Sequence, residues 1–158
     1  MMSLIYSSFM GSPFVPIKSE EIKAIYNRIK LKDNDIIIDL GCGDGRFIHW
    51  AAKNHNIHGY GFDINPLLIN YAKFGSKRQK INNTFFQVKN IFDCDISQAN
   101  YIYFFLLPSL IEKMKLKLEK ETKKDCVIIS HGFPVLNWEK YLIDKITHKP
   151  FPTYYYKR

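Results

Sequence analysis

At 158 residues, with 46% hydrophobic and 24% charged side chains, the chain has the size and composition of one folded domain, which excludes wholesale disorder. No apolar run reaches the roughly 18–20 residues that span a bilayer, and Met1–Met10 lacks the basic start and long apolar stretch of a signal peptide, so a cytoplasmic protein without a membrane span is expected. The net charge of +8 admits nucleic acid as a partner, but lysine outnumbers arginine 19 to 4 beside 21 isoleucines and 11 asparagines, a compositional bias rather than a phosphate-reading surface rich in arginine forks.

Residues 1–18 read as an extended N-terminal segment, with Pro13 and Pro16 forbidding helix over residues 11–18. Ser19 is the expected N-cap of a helix with Glu20 and Glu21 in its first turn and an apolar face of Ile22, Ile25, Tyr26 and Ile29. After the Asp33-Asn34 turn, Ile36–Ile38 is a continuously apolar strand of the buried parallel type. It enters Asp39-Leu40-Gly41-Cys42-Gly43-Asp44-Gly45-Arg46, and a helix buried through Phe47, Ile48, Ala51 and Ala52 follows. A second strand, about 59–62, ends at Asp63, and Pro66 opens a helix carrying Leu67, Leu68 and Tyr71. Thr84–Val88 and Tyr101–Leu106 are the third and fourth strands. Pro108 starts a helix with Ile111, Met114 and Leu118 facing inward, and Val127–Ser130 is the fifth strand. Tyr141–His148 and Thr153–Tyr156 form a closing hairpin. This alternation predicts an α/β, Rossmann-like, doubly wound and mostly parallel sheet with a C-terminal antiparallel hairpin, one domain over residues 19–158.

Cys42, Cys94 and Cys126 are widely spaced without a Cys-x-x-Cys pair, and His55 and His58 have no cysteine neighbour, so neither a disulfide framework nor a metal centre is expected.

Ligands in such sheets bind beyond the carboxyl ends of the strands. The loop Gly41–Gly45 lacks the Gly-Lys-Ser/Thr ending of a phosphate loop, and Arg46 stands where a dinucleotide fingerprint needs its third glycine. Carboxylates at Asp39 and Asp44 oppose a pyrophosphate but favour a ligand with a positive centre, as in S-adenosylmethionine. Asp63, 18 residues after Gly45 at a strand end, is placed to accept hydrogen bonds from both ribose hydroxyls.

With those residues the chain resembles the small class I protein lysine methyltransferases, a group that includes the enzyme acting on the ATP synthase c-ring protein and broad-specificity archaeal relatives. The resemblance rests on Pro13-Phe14-Val15-Pro16, Leu40–Arg46, Gly61–Pro66, Phe105-Leu106-Leu107-Pro108 before a basic helix, and Gly132-Phe133-Pro134 with Trp138. It implies that residues 1–18 cover the cofactor site, with Pro13, Phe14 and Val15 over the methionine end. It further implies that Asp39, Gly41, Cys42, Gly43, Asp63, Ile64 and Asn65 hold S-adenosylmethionine, with Asn90 and Ile91 near the adenine. His131-Gly132 departs from a pair that often includes arginine in relatives, and Asp63 stands where many carry glutamate.

The implied reaction moves a methyl group to the ε-amino group of a lysine on a partner protein. The amine must arrive neutral, so an apolar substrate channel is expected from Phe104, Phe133 and Trp138, with Leu107 and Pro108. Tyr103 is the candidate polar group at its entrance and His131 a candidate proton acceptor. Two other readings stand beside this one: a methyltransferase for nucleic acid or a small molecule, and a non-catalytic module that binds S-adenosylmethionine.

Overall fold

The computed structural model describes residues 15–158. Among them, Lys18 stands in extended backbone and its N–H donates to Glu21 Oε2 at 3.1 Å, closing the start of helix α1, Ser19–Tyr26. Ser19 is therefore the first helical residue, not the cap. Ile22, Ile25 and Tyr26 form its buried face as their spacing requires.

Strand β1 (Ile36–Leu40) leads through the glycine loop into α2 (Arg46–Asn54), then β2 (His58–Asp63), α3 (Pro66–Gln79) and β3 (Thr84–Val88). A short 3₁₀ turn at Ile91–Asp93 precedes β4 (Tyr101–Phe104), α4 (Pro108–Glu121), β5 (Val127–His131), β6 (Leu142–Ile146) and β7 (Thr153–Lys157). The strands order as β3-β2-β1-β4-β5-β7-β6. The first five pair parallel, while β7 pairs antiparallel with both β5 and β6. The expected doubly wound sheet and closing hairpin are both present, and the fourth strand stops two residues earlier than expected.

The sheet is covered on both faces. Ile22, Ile25 and Phe47 of α1 and α2 pack on Ile37, Tyr103, Ile129 and Tyr155. Ile111, Met114 and Leu118 of α4 pack on the other face, against Ile38, Ile102, Phe104 and Ile128. In α3 the packed side is Ile69, Ala72 and Ser76, whereas Leu67 and Tyr71 are more than half exposed.

The topology reverses between β1 and β4, which opens a crevice above their carboxyl ends. Gly45 sits there at φ +77°, where an added Cβ would fall 2.7 Å from the Phe86 ring and 2.9 Å from Ala72 Cβ, so only glycine lets α2 start this close to β3 and α3. No described helix is long and apolar enough to cross a membrane.

Candidate active site

Beyond β1 the chain turns at Gly41, Gly43 and Gly45, all at positive φ. The Gly41 and Cys42 N–H groups both donate to the Phe62 carbonyl, at 2.8 and 3.0 Å, fastening the loop to the end of β2. Asp63 then fixes its other side. Its Oδ2 accepts from Gly43 N at 2.9 Å and its Oδ1 from Asn65 N at 2.8 Å. The side chain is thus oriented by backbone donors and keeps acceptor capacity for a ligand hydroxyl.

A cavity of about 270 Å³ opens over this loop. Asp39, Asp44 and Asp63 stand on one side, Lys89 and Lys113 also border it, and Phe47, Phe92, Tyr103 and Phe105 supply aromatic surface. Asp39 is 2% exposed, and its Oδ1 has no hydrogen-bond partner among the described residues. Burial, with Asp63 and Asp44 adding repulsion, holds its carboxyl well above the usual carboxylate range. Burial also raises Asp63, against the pull of its backbone donors. A buried, unpaired carboxylate beside two others is costly unless a positive group faces it. The donor set therefore fits S-adenosylmethionine: Asp39 can face a cationic group and Asp63 can accept from ribose hydroxyls. That match of donors and charges is the structural test of the cofactor.

Of the residues expected at the cofactor, Val15, Asp39, Gly41, Cys42, Asp63, Ile64, Asn90 and Ile91 line the cavity. Gly43 acts through its bond to Asp63, and Asn65 is buried as the N-cap of α3, its Oδ1 accepting from Leu67 N at 3.0 Å. Pro13 and Phe14 lie outside the described residues.

The expected channel is placed differently. Strand alternation sends Phe104 to the α4 face, fully buried, while Tyr103 and Phe105 reach the cavity. Phe133 packs against that same α4-side core, and Trp138 is 1% exposed within it, its Nε1 donating to Glu119 Oε1 at 3.0 Å. Leu107 and Pro108 cap and open α4, outside the lining. The cavity wall there is Phe105, Leu106, Leu110 and Lys113. His131 is fully buried and stands behind Phe105, whose ring meets it edge-on at 4.6 Å. Tyr103 does line the cavity, 3% exposed, stacked on Phe47 and with no partner for its hydroxyl among the described residues.

Sequence reading also passed over Arg46. Its Nε and Nη2 grip Asp44 at 2.9 and 2.5 Å, and its Nη1 donates to the Ile17 carbonyl at 3.2 Å. The segment Val15–Ile17 is thereby tied over the loop. Leu110 and Lys113, three apart on α4, were legible as one turn of a helix starting at the mouth of the crevice.

The family model of the ANTKMT methyltransferase domain matches residues 39–141. A protein-lysine N-methyltransferase of Saccharolobus islandicus is 35% identical over 136 residues, 85% of this chain and 84% of that protein. A lysine N-methyltransferase of Xenopus laevis named for the c-type component of ATP synthase is 28% identical over 80% of the chain, which spans about half of that relative, 55%. Among solved structures, an RNA methyltransferase from Salinibacter ruber in complex with S-adenosyl-L-homocysteine superposes with a TM-score of 0.86 at 26% identity, covering 90% of this chain and 93% of that one.

Proposed function

The chain belongs to the family of the ANTKMT methyltransferase domain, and from that premise we propose that it methylates the ε-amino group of lysine on a partner protein. The observation that carries the reading is the likeness, over 85% of the chain, to a protein-lysine N-methyltransferase. Lys89 and Lys113 beside the cavity and the net charge of +8 favour an acidic substrate surface. The same charge and the RNA methyltransferase neighbour favour a second reading, methyl transfer to nucleic acid. A cytoplasmic location belongs to the first proposal and rests on the sequence features described above.

S-adenosylmethionine supplies an electrophilic methyl group on a sulfonium. The protein's part is to hold that cofactor and to deliver a dry, neutral amine. Asp39 would face its positive charge, Asp63 its ribose, and Asn90 and Ile91 its adenine, while Val15–Ile17, held by Arg46, would cover it. Free lysine titrates near about 10.4, so presenting it neutral at pH 7 costs roughly 4–5 kcal/mol. Phe105, Phe47 and Tyr103 at the cavity lower that cost by excluding water from the ammonium.

The test incubates purified protein with tritiated S-adenosylmethionine and host-cell extract, with parallel nuclease and protease treatments and an Asp63→Ala control. Protease-sensitive label recovered as methyl-lysine, and lost in the control, is the expected result. Label removed by nuclease moves the enzyme to the nucleic-acid reading.

A further inference from the structure

The two edges of the sheet differ. β6 is guarded: it carries Asp144 and Lys145, and its pairing with β7 is broken by a register shift between Leu142 and Asp144. β3 has none of these devices. Thr84-Phe85-Phe86-Gln87-Val88 holds no charge and no proline, and its register on β2 runs unbroken from Thr84 to Val88. Gly59 N donates to Asn83 O and Lys89 N donates to Asp63 O, each at 3.0 Å, so the odd-numbered residues bond inward. Alternation then turns the N–H and C=O groups of Thr84, Phe86 and Val88 outward, and no described residue pairs with them.

The flanks of this edge differ in chemistry. Phe86 packs under α2 and α3 with Ile48, Ile69 and Ala72, and Thr84 Oγ1 meets Ser76 Oγ of α3 at 2.7 Å. Thr84, Phe86 and Val88 therefore share the α3 side, and Phe85 and Gln87 the other. An added Cβ at Gly75 would fall 2.7 Å from His49 of α2, so that flank of α3 faces inward. Lys73 and Lys77, one turn apart on the opposite flank, are exposed over the β3 edge. They pair with no carboxylate among the described residues, and α3 itself carries no acidic residue. On the other side Phe85 is 51% exposed, stacked on Tyr60 with ring centroids 5.1 Å apart. A strand laid antiparallel on this edge would exchange both N–H···O bonds at each of Thr84, Phe86 and Val88. Its residues opposite those three would point towards Lys73 and Lys77, and its residue opposite Phe85 towards that ring. A second copy of β3 fits poorly, because the pairing would set the lysines of two α3 helices against each other.

We propose that the β3 edge docks an extended segment of a partner protein in which acidic and apolar residues alternate. Main-chain bonds supply the affinity, and the lysines and Phe85 supply the selectivity. The edge runs up to the cavity, since Lys89 and Asn90, the next two residues, line it. A substrate docked there brings its lysine to the cavity at a raised effective concentration. That the partner is the substrate rests on the lysine reading above; the docking surface itself does not.

Amide hydrogen exchange followed by NMR tests the edge, with a blocked peptide of alternating glutamate and valine as the probe. In the free protein the Thr84, Phe86 and Val88 amides are expected to exchange fast, and those of Phe85 and Gln87 slowly. Saturating peptide is expected to slow the first three at least tenfold. A peptide of the same composition with all valines first, and one with lysine for glutamate, are expected to leave them fast. Val88→Pro removes one outward donor where an edge strand tolerates proline. That variant, and Lys73→Glu combined with Lys77→Glu, are each expected to weaken peptide binding at least tenfold, with S-adenosylhomocysteine affinity unchanged in the lysine double variant. Equal slowing by either control peptide, or no slowing at all, overturns the proposal. Outward amides already slow in the free protein also overturn it: at every concentration, residues 1–14 hold the edge; only at high concentration, a second copy does. Fusing the glutamate–valine segment to a lysine peptide is expected to lower its KM at least tenfold in wild type but not in the lysine double variant, with kcat unchanged. Equal KM in both overturns the assignment of the partner as substrate. A fused peptide that protects the edge and is never methylated refutes the lysine reading and leaves the docking surface standing.

Discussion

Replacing Asp39 with asparagine separates binding from folding, because the two respond in opposite directions. In the free protein Asp39 Oδ1 is buried without a partner among the described residues, beside Asp63 and Asp44. An unsatisfied buried polar group costs about 1–3 kcal/mol, more when charged. Asparagine keeps the shape and removes the charge, so ligand-free stability should rise by about 1–2 kcal/mol, or roughly 2–8 °C for a domain of this size. The sign follows from the raised carboxyl value. The folded state favours the protonated acid, so stability falls as pH rises from the unfolded carboxylate value through the folded one, and stays lowered above it. The gain in Asp39→Asn is therefore full above the folded value and fades on acidification. Affinity moves the other way: losing a charge-assisted contact of about 1.5–3 kcal/mol weakens cofactor binding roughly 10- to 150-fold. Thermal denaturation across pH, together with calorimetric titration of S-adenosylmethionine and S-adenosylhomocysteine, reads both quantities. A variant that is less stable without ligand, or that binds both compounds as tightly as wild type, refutes the argument that this carboxylate awaits a cation.

Gly61→Ala places a Cβ 2.5 Å from the Phe86 ring and 2.8 Å from Cys42 Sγ, so it should destabilise by about 1–3 kcal/mol of overpacking. Adding Phe86→Leu should recover part of that, and strictly additive losses in urea unfolding contradict the contact. His131 resists protonation because burial, then His148, pulls it from 6.5 to about 4. Its contribution to stability is complete above pH 6.5 and drains away as pH falls towards 4, about 3 kcal/mol in all. His131→Gln should flatten that part of the stability profile, and an unchanged slope refutes the assignment.

The cofactor loop was legible because it is local. Asp39 to Gly45 and Asp63 are fixed by strand ends and glycine conformations, which sequence spacing records directly. Alternation along β4 was equally open to reading, yet Phe104 was assigned to the channel, and the strand's alternation puts it on the α4 face instead. The placement of Phe133 and Trp138 was not legible, because it depends on how the chain turns after β5. Gly132, at φ +89°, and the Ser130 Oγ bond to the Phe133 carbonyl, 2.6 Å, send Phe133 and Trp138 towards the α4-side core, and spacing carries no record of that direction. Leu67 and Tyr71 were legible as helical but not as exposed, because α3 packs through small residues on β2 and β3.

The strand order places β7 inside the sheet and the earlier β6 at its edge. Along β7, Tyr155 enters the layer under α1 and α2 while Tyr156 enters the layer under α4. Tyr155 also donates to the Ile25 carbonyl at 3.2 Å, and Tyr156 accepts from Val135 N at 2.9 Å. Neither hydrophobic layer is complete until this one strand has slotted between β5 and β6. One strand thus ties the two hydrophobic layers together, so loosening β7 exposes both faces of the sheet at once.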